Sequence, residues 1–223
     1  MEKQRFSWNQ AAATSFHLCT YLATKSEKLT VAGSIRRNRP FVGDIEILVV
    51  PRPGFDSILD FLISRHVFDY RLNSGGRRAF GPMNKLLVHV ASGIPVDIFC
   101  TTPECWPVAL VVRTGPKESN IRICMAAQKR GLKFNPYGRG FTRNDGTEII
   151  CRSEQEVFET VGLPYLPPEE RERTSNSLMI WQTIWPERSR GQNPTWNAGE
   201  SCAASPPRLS RRSMGKNSRQ KNE

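Results

Sequence analysis

The chain has 223 residues, 38% of them hydrophobic and 24% charged, with a formal net charge of +11 at pH 7. This length suits one large domain or two small ones, and no run of about 18 apolar residues predicts a membrane-spanning helix. The N-terminus lacks the apolar core of a secretion signal, so we expect an intracellular protein with no membrane partner. The excess of basic residues favours a polyanion such as nucleic acid.

The first hundred residues alternate helical and strand patterns. A capping box, Ser7 with Gln10, begins a helix whose apolar positions recur at helical spacing: Ala12, Phe16, Cys19 and Ala23. A second helix is predicted over 55–66. Strands are predicted at 29–31, 45–50, 85–91 and 95–100. This alternation predicts an α/β (α+β) fold with a mixed β-sheet and flanking helices over residues 1–108.

A second, smaller α+β unit is predicted over 109–172. Thr114-Gly115-Pro116 is typical of a helix start, and Gly131 ends that helix. Asn144-Asp145-Gly146 predicts a β-hairpin, and a second capping box at Ser153 begins the last helix. Residues 173–223 are rich in Ser, Asn, Arg, Gly and Pro, so we expect a basic, disordered tail.

Three carboxylates interrupt the apolar strands of the first unit. Residues two apart on a strand project from the same face, so Asp44 and Glu46 are expected side by side. Asp97 joins them if its strand pairs beside the first. Adjacent carboxylates repel each other unless a cation lies between them, and a hard divalent ion prefers oxygen ligands. The cluster therefore predicts a metal site of the kind that promotes phosphoryl transfer.

A small-residue turn precedes these carboxylates. Gly33-Ser34 exposes backbone N–H groups, and the Ser34 hydroxyl can donate to a phosphate oxygen. Arg36 and Arg37 follow, and an arginine fork matches phosphate geometry. Each feature is common by itself, but their combination with acids inside apolar strands points to a phosphate-bearing substrate.

The order of these motifs resembles the nucleotidyltransferase palm of family X DNA polymerases, the group of DNA polymerase beta and terminal transferase. The motifs are Gly-Ser-x-Arg-Arg at 33–37, Gly-Asp-Ile-Glu at 43–46 and Val-Asp-Ile-Phe at 96–99. Segments 72–78 and 84–87 resemble the palm hairpin of the family, 113–131 the start of its thumb, and 163–172 the end of that thumb. Only a short helical segment precedes Gly33, so we expect palm and thumb only, without the family's N-terminal helix-hairpin-helix modules.

The resemblance implies a role for individual residues. The catalytic metal ligands would be Asp44, Glu46 and Asp97, with Asp97 nearest the primer 3′-hydroxyl. The incoming nucleotide would be held by Gly33, Ser34, Arg37, Gly43, Arg113, Gly115, Lys117 and Asn120. The DNA backbone would be contacted by Arg77, Arg78 and Lys85. The implied cofactors are two Mg²⁺ ions, with Mn²⁺ as an alternative, and the implied partners of this monomeric enzyme are primer/template DNA and a nucleoside triphosphate.

The sequence departs from the family pattern at three positions. Glu46 stands where the family has Asp, which moves the carboxylate outward by one methylene. Val112-Arg113 replaces an aromatic pair that excludes the ribose 2′-hydroxyl, so we expect relaxed sugar discrimination or a contact of Arg113 with the sugar or a phosphate. The family has a cis peptide after the glycine at position 115, and proline makes cis far less costly, so Gly115–Pro116 is predicted to be cis.

The resulting prediction is a minimal DNA-directed DNA polymerase of the gap-filling repair type, which uses two metal ions for phosphoryl transfer. Two alternatives stay open. The first is a template-independent terminal nucleotidyltransferase, which the expected lack of further DNA-binding modules leaves open. A nucleic-acid-binding relative without catalysis is the other alternative, although the presence of all three carboxylates argues against it.

Overall fold

The computed structural model describes residues 4–73 and 75–172. The predicted disordered tail at 173–223 lies outside the described residues. Within the described ranges, no helix is both long enough and apolar enough to cross a bilayer. The described chain forms the mixed α/β structure expected from the sequence, with a mixed sheet flanked by helices and a smaller antiparallel sheet further along the chain.

The first unit contains three helices and seven strands. In chain order they are β1 (Phe6–Ser7), α1 (Trp8–Leu22), β2 (Ser26–Val31), α2 (Gly33–Arg36), β3 (Phe41–Val42), β4 (Ile45–Pro51), α3 (Phe55–Ser64), β5 (Phe68–Tyr70), β6 (Asn84–His89) and β7 (Pro95–Cys100). Strands β1 and β3 pair separately from the main sheet. As predicted, Ser7 caps α1, because its hydroxyl accepts a hydrogen bond from the Gln10 backbone N–H at 3.3 Å.

The main sheet has the strand order β2-β4-β7-β6-β5. Strands β4 and β7 are parallel, whereas the other three pairings are antiparallel. Strand β4 lies inside the sheet between β2 and β7, which explains its run of aliphatic residues buried on both faces of the sheet. This topology brings together two strands that lie 50 residues apart in sequence.

The two faces of this sheet are covered by different helices. On one face, alternate residues of β4 and β7 pack with α1 and α3 in the largest apolar cluster, which includes Ile47, Ile98, Leu18 and Leu59. On the other face, Leu48 and Phe99 pack with Trp106 and Ala109 of the next helix. Because strand side chains alternate, Glu46 and Asp97 emerge on this second face.

The buried face of α1 differs from the prediction. Its buried residues are Ala11, Ser15, Leu18 and Leu22, whereas the side chain of Phe16 is 75% exposed. Of the predicted apolar positions, Ala12 and Cys19 pack against the edge of the core, whereas Phe16 does not. Ser15 can be buried because its hydroxyl donates to the Ala12 carbonyl at 2.8 Å, which leaves no unsatisfied polar group.

The second unit contains three helices and three strands. They are α4 (Trp106–Thr114), α5 (Lys117–Lys129), β8 (Leu132–Phe134), β9 (Gly140–Arg143), β10 (Glu148–Ile150) and α6 (Glu154–Thr160). The three strands form an antiparallel sheet in which the predicted hairpin joins β9 to β10. Ser153 caps α6 as predicted, accepting from the Glu156 backbone N–H at 3.1 Å.

Helix α4 joins the two units. Trp106 and Ala109 belong to the cluster on the sheet of the first unit, whereas Val108 and Val111 belong to the core of the second. The helix ends at Gly115, which has φ +61°, and the Gly115–Pro116 peptide bond is cis, as predicted. Helix α5 then begins at Lys117.

Candidate active site

The three predicted carboxylates meet where β4 and β7 run side by side. In this parallel pair Glu46 is directly opposite Asp97, and Asp44 lies two residues before Glu46, just outside β4. Residues in register on neighbouring strands project from the same face, so Glu46 and Asp97 are adjacent side chains. The sequence predicted that Asp97 would join the other two carboxylates if its strand paired with that of Glu46, and these two strands do pair.

The electrostatics of Glu46 reflect this crowding. Burial raises its pKa to about 8, with further upward contributions from the negative charges of Asp44 and Asp97. The positive charges of Arg113 and Arg37 act in the opposite direction. Two acidic and two basic side chains from different parts of the chain thus act on the Glu46 carboxylate.

The side chain of Glu46 extends to the Gly33-Ser34 turn. Gly33 has φ +60°, and a Cβ built on it would lie 2.8 Å from Glu46 Cδ and overlap Oε2. Glycine is therefore required at this position for its backbone conformation and for the space that the carboxylate takes. The methylene that distinguishes Glu46 from the family's Asp directs the carboxylate toward the turn predicted to bind phosphate.

Asp97 has a partner that sequence reasoning missed. The Arg71 guanidinium donates from Nη2 to Asp97 Oδ1 in an ion pair between side chains that are 33% and 17% exposed. Arg71 directly follows β5 and precedes the segment that resembles the palm hairpin. No motif marks it, because its role depends on the antiparallel pairing of β5 with β6 and of β6 with β7.

The donor set suits a divalent cation in its chemistry. Three carboxylates supply the oxygen ligands that Mg²⁺ and Mn²⁺ prefer, and a cation among them would relieve the repulsion that contributes to the raised pKa of Glu46. In the arrangement described for residues 4–73 and 75–172, no three His, Cys, Asp or Glu side chains are positioned to hold an ion. In that same arrangement, Asp97 is engaged by Arg71.

The predicted phosphate-binding turn has one unusual polar atom. Ser34 Oγ is buried, and no hydrogen-bond partner for it is found among the described residues. A buried hydroxyl without a partner is uncommon, and a phosphate oxygen is one group that would satisfy it. Gly33 is buried, and Gly43 is partly buried beside Asp44.

The two arginines of the turn motif connect the units. Arg36 forms a two-pronged ion pair with Glu154, at 2.9 and 2.6 Å, and donates to Thr114 Oγ1 at 2.6 Å. Arg37 donates to the Thr114 carbonyl and, through Nε, to Glu172 at 2.9 Å. The arginine predicted to hold the triphosphate is therefore engaged at the junction in this arrangement.

The residues predicted near the incoming nucleotide separate into exposed and buried groups. Lys117 is exposed at the start of α5. The Arg113 guanidinium lies 3.6 Å from the centre of the Phe99 ring and 3.4 Å from the Tyr137 hydroxyl. Asn120 is only 3% exposed, and its Nδ2 donates to the Val112 carbonyl at 2.9 Å. Gly115 is also buried, with Arg37 Nη1 3.5 Å from the position of a Cβ.

The three predicted DNA-contacting residues do not share one surface. Arg77 and Arg78 are exposed on the segment between β5 and β6, with Arg78 4.5 Å from the centre of the Tyr70 ring. Lys85 is 1% exposed, and its ammonium contacts the Gly81 carbonyl at 2.7 Å and Asp56 at 3.0 Å. Strand alternation places Lys85 on the face opposite Asp97, so this position does not suit the expected contact with a DNA backbone.

Comparisons with known proteins bear on the resemblance. Residues 109–172 match the family model of the DNA polymerase beta thumb. The DNA polymerase/3′-5′ exonuclease PolX of Bacillus subtilis is 29% identical over 148 residues, which cover 65% of this chain and 24% of that protein. The chain thus spans about a quarter of the length of this curated relative.

The fold is similar to that of two crystal structures of Leishmania infantum polymerase beta. The ternary P/T complex has a TM-score of 0.61 at 23% identity and covers 75% of this chain and 77% of that chain. The ternary gap complex has a TM-score of 0.62 at 21% identity, and the match covers 76% of this chain and 71% of that chain. The described residues therefore share the fold of these polymerase structures, and the thumb model matches the second unit.

The resemblance to family X DNA polymerases that was drawn from the motifs is thus confirmed by the thumb model, by the PolX relative and by the fold.

Proposed function

We propose that this chain adds nucleotides to the 3′-hydroxyl of a DNA primer paired with a template, and that it acts on gaps during repair. The observation that carries this proposal is the in-register pairing of Glu46 with Asp97, beside Asp44, on the face of the sheet toward α4. The resemblance to family X DNA polymerases supports the general activity. The gap substrate is proposed by analogy with the Leishmania infantum polymerase beta ternary gap complex.

Asp44, Glu46 and Asp97 would hold two Mg²⁺ ions, or Mn²⁺ in their place. When bound, such ions supply charge stabilisation at the attacking and leaving oxygens of the displacement. Asp97 is the carboxylate proposed beside the primer hydroxyl, where it favours loss of the proton. The primer oxygen then bonds to the α-phosphorus of the nucleotide, and the bond to the leaving pyrophosphate breaks.

The triphosphate is proposed to lie along the Gly33-Ser34 turn and Gly43. The buried Ser34 hydroxyl supports this position, because a phosphate oxygen would give it the partner it lacks within the described chain. Arg37 is proposed to contribute once its guanidinium exchanges the Glu172 carboxylate and the Thr114 carbonyl for phosphate oxygens. Lys117 and Arg113 would lie toward the base and sugar of the same nucleotide.

DNA is proposed to bind along the segment that carries Arg77 and Arg78. Both side chains are exposed, and the net charge of +11 favours a polyanion. The side chain of Asn120, expected near the nascent base pair, is instead bound to the Val112 carbonyl, which argues against its use in templated addition. Template-independent addition is therefore the second candidate, and the test must separate the two.

Primer extension on single-stranded, nicked and gapped DNA, with Mg²⁺ or Mn²⁺, tests the proposal. We expect templated products on gapped DNA. Untemplated tails on single strands would instead indicate a terminal nucleotidyltransferase, and mobility shifts without extension would indicate a binding protein. Asp97→Asn should lower extension by about 100-fold or more, because several kcal/mol of charge stabilisation are lost.

The matched control is Asp60→Asn, which removes one exposed carboxylate of α3. This variant should extend primers like the unaltered protein. Both variants should bind DNA in mobility-shift assays. Equal extension by the Asp97 and Asp60 variants would contradict the proposed catalytic role of Asp97.

A further inference from the structure

Four residues from neighbouring segments form a single row across the catalytic face of the sheet. Glu46 of β4 is opposite Asp97 of β7, which is opposite Leu86 of β6. The backbone N–H of Arg71 donates to the Leu86 carbonyl at 3.1 Å and continues the register of β5. Side chains in register share a face, so the long side chain of Arg71 reaches past Leu86 to Asp97.

The Arg71 guanidinium, which forms an ion pair with Asp97, does not use all of its hydrogen-bond donors within the described chain. Arg71 Nη2 donates to Asp97 Oδ1, whereas Arg71 Nε is buried and no hydrogen-bond partner for it is found in the part of the chain that the structure describes. The contact with Asp97 is therefore made through one nitrogen, and a further donor of the fork has no partner within the described chain, so the pair lacks the bidentate geometry of the strongest arginine–carboxylate contacts.

Arg71 occupies one side of the Asp97 carboxylate. Asp97 faces a guanidinium, and within the described ranges no trio of acidic, His or Cys side chains is placed to hold an ion. Arg37 and Arg113 also act on the neighbouring Glu46, where their positive charges oppose the rise in its pKa. A divalent ion entering beside Asp97 must compete with Arg71.

We propose that Arg71 is an internal counter-ion for Asp97, which occupies this carboxylate in the free protein and must leave it before a divalent cation binds. This inference rests on the proposed function, because it takes Asp97 to be a metal ligand. The affinity of the free protein for the cation is then set by competition with the guanidinium. Arg71 is a positioning residue in this scheme.

The neighbourhood of Arg71 gives the released guanidinium a second partner. Arg71 begins the segment that carries the exposed Arg77 and Arg78, in which Leu72 pairs with Arg78 across the segment. If DNA binds along this segment, as proposed above, its phosphate oxygens would be close in sequence to Arg71, and arginine pairs well with phosphate. DNA that draws Arg71 away from Asp97 raises the affinity for the cation, and the cation raises the affinity for DNA by the same factor.

Direct measurement of Mn²⁺ binding tests the proposal without any catalytic readout. The free Mn²⁺ signal in electron paramagnetic resonance is followed during titration of the full chain, without DNA or nucleotide. Arg71→Gln should bind Mn²⁺ about fivefold or more tightly than the unaltered protein. The lysine variant Arg71→Lys keeps the charge but loses the planar fork, so its affinity should lie between the two.

Arg65→Gln is the matched control, since it removes the same charge from an exposed position that has no proposed role in metal or DNA binding. It should change Mn²⁺ affinity by less than about twofold, because an exposed charge is well screened by solvent and salt. Addition of a primer/template duplex should tighten Mn²⁺ binding to the unaltered protein but have much less effect on Arg71→Gln. Unchanged or weaker Mn²⁺ binding by folded Arg71→Gln would overturn the proposal.

Two further results separate this inference from the proposed function. If Asp97→Asn abolishes Mn²⁺ binding while Arg71→Gln has no effect, the metal site stands and the counter-ion role of Arg71 is wrong. If the unaltered protein binds no Mn²⁺ with or without DNA, both proposals fail. Should Arg71→Gln not fold, as judged by circular dichroism, Arg71→Lys decides the matter: affinity equal to or below that of the unaltered protein contradicts the proposal.

Discussion

The Glu46 carboxylate lies against the backbone of Gly33, in the space that any larger residue at position 33 would need. This contact connects the acidic strand to the turn that precedes it. It also depends on the extra methylene of Glu46, which carries the carboxylate up to the turn. The metal-ligand candidate and the phosphate-binding candidate are thus one packed unit.

Gly33→Ala should disrupt this unit. The added Cβ overlaps Glu46 Oε2, and φ +60° is unfavourable for alanine, so we expect a loss of about 1–3 kcal/mol in the free energy of unfolding, measured with denaturant, together with loss of primer extension. Gly81→Ala is the control, because nothing lies within 4 Å of its Cβ position and its φ is not positive. Equal stability of the two variants would show that the Glu46 carboxylate moves aside at little cost.

Glu154→Gln should destabilise the junction between palm and thumb. Glu154 accepts hydrogen bonds from Arg36 and from the fully buried Arg171, at 3.0 Å for the latter. Removing one partner of a buried ion pair costs about 3–5 kcal/mol, whereas the exposed Arg139–Glu148 pair contributes about 1 kcal/mol or less. Denaturant unfolding of Glu154→Gln and Glu148→Gln at pH 7 should therefore give clearly different losses.

The cost of Glu154→Gln should depend on pH. Burial opposes ionisation of Glu154, but its hydrogen bonds and ion pairs with Arg36 and Arg171 outweigh that effect and lower its pKa below the usual 4.5. The unfolded chain then binds a proton at higher pH than the folded chain, so this stabilisation is present above about pH 4.5 and is lost as the pH falls through the lowered folded pKa. The stability difference between the unaltered protein and Glu154→Gln should shrink below pH 4.5, and a constant difference would contradict this assignment.

Arg113 should govern sugar discrimination. Its guanidinium is held against Phe99 where the family places an aromatic side chain that excludes the 2′-hydroxyl. We expect the relative kcat/KM for ribonucleotides and deoxyribonucleotides to differ by less than about tenfold, and Arg113→Phe to increase the preference for deoxyribonucleotides by about 10–200-fold. Arg139→Gln, an exposed change of the same charge, should leave the preference unaltered. Strong rejection of ribonucleotides by the unaltered protein would contradict the hypothesis.

Arg77 and Arg78 should contribute to DNA affinity through phosphates. Replacing either by Gln should weaken DNA binding and reduce the slope of log K against log salt by about 1 per lost phosphate contact, measured by fluorescence anisotropy. Lys85→Met should behave differently, because Lys85 is buried against Asp56 and Gly81. It should alter stability and leave the salt slope unchanged, so a lower slope for Lys85→Met would show that Lys85 does reach DNA.

Local patterns in the sequence predicted much of the fold. The strand at 95–100 is confirmed with both ends, the Ser7 and Ser153 hydroxyls cap their helices, and Gly115–Pro116 is cis. These features depend on residues a few positions apart, so they can be read without knowing the tertiary fold. The buried face of α1 could not, because the leucines of that helix and a self-satisfied Ser15 override the hydrophobicity of Phe16.

The residues of the candidate site likewise include some that the sequence predicted and some that only the tertiary structure decided. By itself, the sequence determined the resemblance to family X DNA polymerases, the three acids and the turn before them, because these motifs are short and their order along the chain is distinctive. Only the tertiary structure decided that Arg71 pairs with Asp97, that Arg36 and Arg37 join the palm to the thumb, and that Lys85 is buried. These contacts join residues 26 to 135 positions apart, and their formation depends on strand register and helix packing, which no local pattern encodes.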